Sequence, residues 1–410
     1  MKILIIGNGG REHAIGKKIL KDNPSVQLYF ATGNGGTAQI GTNISANTVT
    51  ELVQFAETES INLTMVGSEA LLVEGIVDQF QAKGLKIFGP NQKAAQLEGS
   101  KTFAKEFMVK HGIKTAAYKT FTGYYAAKDY LAECVYPTVI KADGLAEGKG
   151  VVICHDQETA EKTLKEIMKD KIFGDSGNTV VIEEFLDGKE ASILSYFNGK
   201  EIISFISAKD HKKIGEGETG LNTGGMGVVA PNPYVTDEVN QAFMDDILNP
   251  TLKGLLKEEL IFSGVIFFGL MITDKGVYLL EYNLRMGDPE TQAILPLMKS
   301  NLLEITEKAL SQESFLVQWK KQYSCCVVMV SGGYPMNYDK GFEILGLENV
   351  DTDYYIAGSK LLNNKQITSG GRVLNVVGYG NTLEEAREVA YKNVKKIRFD
   401  FKYYREDIGL

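Results

Sequence analysis

The first hundred residues alternate short apolar runs with amphipathic stretches, and that alternation leaves few architectures open. Runs at 2–7, 26–31, 62–67 and 86–88 are rich in Ile, Leu and Val, with helical patterns near 11–21, 50–59 and 71–83 between them. Short buried strands separated by helices read as a parallel sheet wrapped by helices. Three of these strands run into small or polar turns: Gly7-Asn8-Gly9-Gly10, Gly33-Asn34-Gly35-Gly36 and Gly67-Ser68-Glu69. In a parallel sheet such turns share one edge, where open α/β folds bind ligands. Phe88-Gly89-Pro90-Asn91 breaks the pattern and marks a boundary.

With 410 residues the chain is too long for one ordinary core. The pattern predicts an α/β and α+β multidomain protein. Residues 1–100 form an N-terminal parallel α/β domain and 101–295 a second domain whose part 118–187 is a mobile lid. Residues 296–410 form a small β-rich domain. A helix near 236–257 and a glycine-dense loop at 215–227 are expected inside the second. The net charge of −8 argues against a nucleic-acid partner. Four cysteines without C-x-x-C spacing, two of them adjacent in an apolar run at 325–326, read as buried thiols. Four histidines lack ligand spacing. No stretch reaches membrane-spanning length and the N-terminus lacks a signal h-region, so a cytoplasmic protein is expected.

Several motifs carry chemistry. Gly7-Asn8-Gly9-Gly10-Arg11-Glu12-His13 ends the first strand and opens the first helix, where free N–H groups and the helix dipole favour an anion. It is not a dinucleotide fingerprint: Glu12 stands where the third glycine belongs, and no acidic residue ends the second strand. Lys141 closes an apolar strand before Gly144, Gly148 and Gly150, a flexible loop suited to covering phosphates. Glu183-Glu184-Phe185-Leu186 ends another strand, with Glu190 beyond. Glu281 and Asn283 lie two apart on a strand and so share a face; carboxylate and amide oxygens suit Mg²⁺. Arg285 continues that spacing. Asp210-His211-Lys212-Lys213 and Asn222-Thr223-Gly224-Gly225-Met226-Gly227 bracket the glycine-dense loop.

Taken in order, these motifs resemble the ATP-grasp superfamily and, within it, the glycinamide ribonucleotide synthetases, the phosphoribosylamine–glycine ligases. The most specific are the 7–13 turn, Lys141-Ala-Asp-Gly-Leu-Ala, the 222–227 run and Arg285-Met-Gly-Asp-Pro-Glu-Thr-Gln292. The resemblance implies a pre-ATP-grasp N-terminal domain, an ATP-grasp fold of two α+β subdomains and the β-rich C-terminal domain. It implies ligation of glycine to phosphoribosylamine with ATP and Mg²⁺ (Mn²⁺ in its place), by way of a glycyl phosphate, in purine synthesis. The partners are then small molecules, with neither nucleic acid nor membrane, and the chain a monomer or weak dimer.

Carried over by motif, Lys101 and Lys141 contact ATP phosphates and Gly148, Lys149 and Gly150 cover them. Glu183, Glu184, Phe185 and Leu186 hold adenine, and Glu190 the ribose. Lys213 and Asn222 lie by the terminal phosphates, with Glu281 and Asn283 on the metal. Arg285 and Asp210 hold glycine and, with Lys213, form the catalytic set. Gly9, Gly10, Arg11, Glu12 and Glu69 take the phosphoribosylamine. Departures are modest: Met286 stands where the family usually has Phe, and Ser68, Leu71 and Leu221 where it often has Pro. Rival readings are another ATP-grasp ligase, such as a purine-pathway carboxylase, a dinucleotide oxidoreductase, and a non-catalytic nucleotide-binding protein.

Overall fold

Lys2–Gly7 takes the centre of a five-stranded parallel sheet, between Gln27–Thr32 and Leu63–Val66, with Thr42–Ile44 and Ile87–Phe88 at the edges. This computed structural model describes residues 1–146 and 150–410. Ile3 to Ile6 are buried on both faces of the sheet, which is why the run is continuously apolar rather than alternating. One face packs Ile3 and Ile5 with Ile15 and Ile19 of the helix Gly10–Asp22. The other packs Leu4 and Ile6 with Leu52 and Ala56 of Val49–Thr58. The helix expected at 71–83 is two, Glu69–Val73 and Ile76–Ala82, because Gly75 turns left-handed at φ +84°. The three-residue strand Thr42–Ile44 is too short to leave a periodic signal.

A four-stranded antiparallel sheet orders Tyr118–Phe121, Val180–Glu184, Thr138–Ala142 and Val151–Cys154. The helices Tyr124–Leu131 and Gln157–Met168 cover it, placing Leu131, Leu164 and Ile167 on Ile140 and Ile182 in a core of its own.

Nine of the remaining strands build one sheet, and two short hairpins, Lys213–Gly215 with Thr219–Asn222 and Ser359–Leu362 with Lys365–Thr368, stand apart. The main path of the sheet runs Gly276–Asn283, Gly264–Thr273, Lys189–Phe197, Ile202–Asp210, Gly227–Ala230, Tyr323–Ser331, Arg372–Gly380, Asp353–Ile356, and Lys402–Tyr403 pairs with Tyr323–Ser331. Gly227–Ala230 and Tyr323–Ser331 pair antiparallel from Gly227↔Val327 to Ala230↔Ser324, so the C-terminal strands continue the sheet of the middle region. The loop expected at 215–227 is partly ordered, as a hairpin of Lys213–Gly215 with Thr219–Asn222. A π turn at Met244–Leu248 interrupts the helical stretch expected at 236–257. Cys325 and Cys326 are buried in their strand as expected, and burial pushes the Cys325 thiol up to about 12.

Candidate active site

The edge hairpin Gly264–Thr273 and Gly276–Asn283 carries Glu281 and Asn283, and the chain then leaves the strand through Arg285. Burial alone would raise the Glu281 carboxyl. The charges of Lys212, Lys141, Lys101 and Arg285 outweigh it and hold the group below its usual value, so Glu281 stays ionised inside a ring of four cations. Asn283 Oδ1 accepts from Arg285 Nη2 at 3.3 Å. Arg285 Nε lies 3.2 Å from Glu98 Oε1 and 3.6 Å from Glu69 Oε2, yet is buried without a hydrogen-bond acceptor of its own. Glu98 is fixed by the Leu284 N–H at 2.6 Å; burial, ahead of the Arg285 charge, pushes its carboxyl up.

The cations come from three elements. Lys101 opens the helix Lys101–Lys110, capped by the Ser100 hydroxyl, and Nζ donates to the Gly144 carbonyl at 3.1 Å. Lys141, on Thr138–Ala142, reaches Glu183 Oε1 at 2.9 Å, and Lys105 takes Oε2 at the same distance. Glu183 is thus buried between two lysines. Burial pulls Lys105 down to about 8 despite that partner. Glu184 turns the other way, its Oε1 accepting from the Ala117 N–H at 2.8 Å. Phe185 and Leu186 are half-buried in the connection that follows. Gly150 is buried, and its carbonyl accepts from the Ala142 N–H at 2.9 Å; Gly148 and Lys149 lie outside the described residues. Lys105→Met should cost about 3–5 kcal/mol of stability, the usual loss when one partner of a buried pair is removed, measurable by urea denaturation. A loss below about 1 kcal/mol would mean that Lys141 alone suffices for Glu183.

The third source corrects an expectation. Lys212, not Lys213, faces the ring: its Nζ lies 2.8 Å from Glu190 Oε2, and Glu190, then Glu281 and Asp210, raise its pKa. Lys213 forms no ion pair among the described residues, and its carbonyl accepts from Arg405. Asn222 lies across the hairpin from Lys213 and takes part in none of these contacts. The physical reason is alternation: residues two apart in an extended chain share a face, and Asp210 already points inward. Beside Lys212, Asp210 and Glu290 form a buried acidic pair. Burial and their mutual repulsion push both carboxyls up, strongly for Asp210. Ser192 Oγ donates to Glu290 at 3.2 Å, while Asp210 Oδ1 has no hydrogen-bond partner among the described residues.

The N-terminal turn meets this site from the opposite side. Glu12 is wholly buried: Oε2 accepts from the Gly9 N–H at 2.7 Å and Oε1 holds Arg11 Nε at 2.5 Å. Arg11 donates to the carbonyls of Gly67 and Met286. These two side chains therefore shape the turn from within, setting Gly9 and the buried Gly10 against Asp288 and Gln292. Arg372 donates to the carbonyls of Asp288 and Gly224, tying the 285–292 run to the 222–227 run.

Models of the phosphoribosylglycinamide synthetase N domain, ATP-grasp (A) domain and C domain match residues 1–98, 99–291 and 324–410. Phosphoribosylamine–glycine ligases of Fusobacterium nucleatum and Clostridium acetobutylicum are 54% and 52% identical over all of this chain and 98% and 99% of theirs. The chain belongs to the phosphoribosylglycinamide synthetase family. The solved phosphoribosylamine–glycine ligase of Thermotoga maritima superposes with a TM-score of 0.87 at 33% identity, each chain fully covered. The biotin carboxylase domain of Hydrogenobacter thermophilus 2-oxoglutarate carboxylase shares the fold at TM-score 0.74 and 15% identity, over 98% of this chain and 91% of that one.

Within this synthetase-family site, the sequence reading missed Lys105, Glu98, Lys212, Glu290 and Asp288. Lys212 and Glu290 stood inside motifs already singled out, and strand alternation was the signal for the first. Lys105 repeats one helical turn after Lys101, a spacing that puts both on one face. Glu98 gave no signal, because its partner Arg285 is far along the chain.

Proposed function

We propose that the chain joins glycine to phosphoribosylamine at the expense of ATP, releasing ADP and phosphate, as a step of purine synthesis. One observation carries the reading: an ionised, half-buried Glu281 within four cations, beside a carboxylate pair whose pKa values are raised. That arrangement suits a polyphosphate and a zwitterion side by side. The hard oxygens of Glu281 and Asn283 fit Mg²⁺ or Mn²⁺. Among the described residues no group of three or more His, Cys, Asp or Glu could hold a metal; phosphate oxygens and water would complete the shell around Glu281 and Asn283. When bound, the metal offsets phosphate charge.

Lys101 and Lys141 hold the inner phosphates, and the backbone of 183–186 the adenine. Lys212 leaves Glu190 to meet the transferred phosphate, and Glu190 is then released for the ribose; Asn222 adds an amide on the same loop. Arg285 takes the glycine carboxylate, while Asp210 and Glu290 take its ammonium. A glycine carboxylate oxygen attacks the terminal phosphorus and ADP leaves. The ribosylamine nitrogen, held at the Gly9–Gly10 turn with Glu69, attacks the carbonyl carbon of the glycyl phosphate. Phosphate departs and the nitrogen loses a proton. Four cations offset the repulsion between two anions that must meet.

ADP release with Mg-ATP, glycine and freshly generated phosphoribosylamine, each omitted in turn, tests this reading. A requirement for all three, with glycinamide ribonucleotide detected by mass, supports it; turnover with another carboxylate or amine overturns the substrates. Glycine binding should also depend on pH. The acidic pair has raised pKa values, so it is protonated below them and must ionise to face an ammonium. Glycine should therefore bind more weakly as pH falls. Calorimetric glycine titrations across a pH series read this dependence, and an affinity that does not weaken toward low pH would remove Asp210 and Glu290 from the glycine site.

A further inference from the structure

Arg405 is the largest fully buried side chain among the described residues, at 1% exposure, although it lies in a segment without any motif. Four of the five guanidinium N–H groups are used. Nε and Nη2 meet the two Asp407 oxygens at 2.7 Å each, Nη2 reaches Glu218 Oε1 at 2.9 Å, and Nη1 donates to the Lys213 carbonyl at 2.9 Å. Glu218 in turn accepts from His211 Nδ1 at 2.8 Å, and His211 Nε2 accepts from the Gly409 N–H at 3.3 Å. That pattern makes His211 the neutral Nδ1–H tautomer, and its burial, which lowers its pKa, agrees.

The other contacts of segment 403–409 converge on the same loop. Tyr403 Oη donates to the Ile214 carbonyl at 2.9 Å, and the Gly217 N–H donates to Asp407 Oδ2 at 2.8 Å. The Glu406 N–H meets Glu216 Oε1 at 3.2 Å. The segment is itself anchored away from the loop. Tyr391 Oη and Arg387 Nε hold the Arg405 and Ile408 carbonyls, and Ile408 is fully buried. The hairpin of Lys213–Gly215 with Thr219–Asn222 has only two short strands and little apolar side chain. A two-stranded hairpin is marginal on its own, so its place depends on what is bonded to it. Inside, Thr223 donates to the Lys212 carbonyl from both N–H and Oγ1 at 2.8 Å; outside, Arg405 holds the next carbonyl. Lys212 is gripped between them.

We propose that Arg405 is a positioning residue for the ligation, setting Lys212 at the transferred phosphate through the Lys213 carbonyl and the Glu218–His211 pair. The proposal rests on the reading of Lys212 given above. A catalytic group displaced by about 1 Å can lose on the order of 10²-fold in rate, which is the scale at which a missing buttress shows.

The experiment compares wild type, Arg405→Met, Arg405→Lys and Glu218→Gln by steady-state ligase kinetics and amide hydrogen exchange. Arg405→Met should lower kcat about tenfold or more, leave KM for phosphoribosylamine within about twofold, and speed exchange at 213–218 while Tyr323–Ser331 stays protected. Arg405→Lys should recover part of kcat, because one donor to the Lys213 carbonyl remains. Unchanged kcat in Arg405→Met, or a loss of kcat without faster exchange at 213–218, overturns the proposal. If Arg405→Met also deprotects Tyr323–Ser331, the half-exposed Glu218→Gln decides: kcat within about twofold of wild type overturns the proposal, and a several-fold loss supports it. Wild type without three-substrate turnover overturns the functional reading itself. Wild-type turnover undiminished in the variants overturns only the role of Arg405.

Discussion

Glu281→Ala should all but abolish ADP release, lowering kcat by about 10³-fold or more. Two losses add. The variant lacks the one carboxylate that shares a face with Asn283, so the oxygen set offered to a divalent cation falls to a single amide. It also leaves Lys101, Lys141, Lys212 and Arg285 without the anion that lies among them. Those cations would then grip nucleotide phosphates more tightly, so ATP or ADP binding should survive or strengthen while chemistry fails. Steady-state ADP release together with equilibrium ADP binding checks both halves. Near-normal turnover at saturating Mg²⁺ would remove Glu281 from the metal and from the mechanism. Glu281→Gln separates the effects, since it keeps the shape and an oxygen but not the charge.

The second large effect distinguishes neighbours. Lys212→Ala should lower kcat by about 10²–10³-fold, the range typical for deleting a group that meets charge developing in the transition state. Lys213→Ala should change it by no more than about threefold, as among the described residues its side chain makes no ion pair and its carbonyl meets Arg405. Equal losses would place both side chains at the phosphate and undo the correction that separates them. A silent Lys212→Ala would leave the transferred phosphate to Arg285, Lys101 and Lys141.

Much of this was legible before any coordinates. The run Lys-Ile-Leu-Ile-Ile-Gly could only be a strand buried on both faces, and its glycine turn fixed where a ligand could approach. The i, i+2 spacing of Glu281, Asn283 and Arg285 survives in three dimensions because strand alternation is a local rule. Lys212 and Lys213 show where local rules need a phase: the alternation was known, but not which residue of the pair faced in. Glu98, Arg372 and Arg405 were beyond reach for another reason. Each is a lone charge whose meaning lies in a partner from a distant element, Arg285 for the first and the 213–224 loop for the others. Glu12 was legible as part of the turn, yet its direction, inward to Gly9 and Arg11, came only from the packing.

The seam between Gly227–Ala230 and Tyr323–Ser331 governs the order in which a growing chain can mature. The N-terminal sheet and the four-stranded antiparallel sheet pair strands from within their own stretches, so each can close soon after it leaves the ribosome. Gly227–Ala230 bonds one neighbour, Ile202–Asp210, at once, but its other edge waits for a strand about a hundred residues later. Until then the loop carrying Lys212 hangs beside an open apolar edge, the kind of surface that recruits stray strands. Nascent chains stalled in that interval are the ones a chaperone would need to shield.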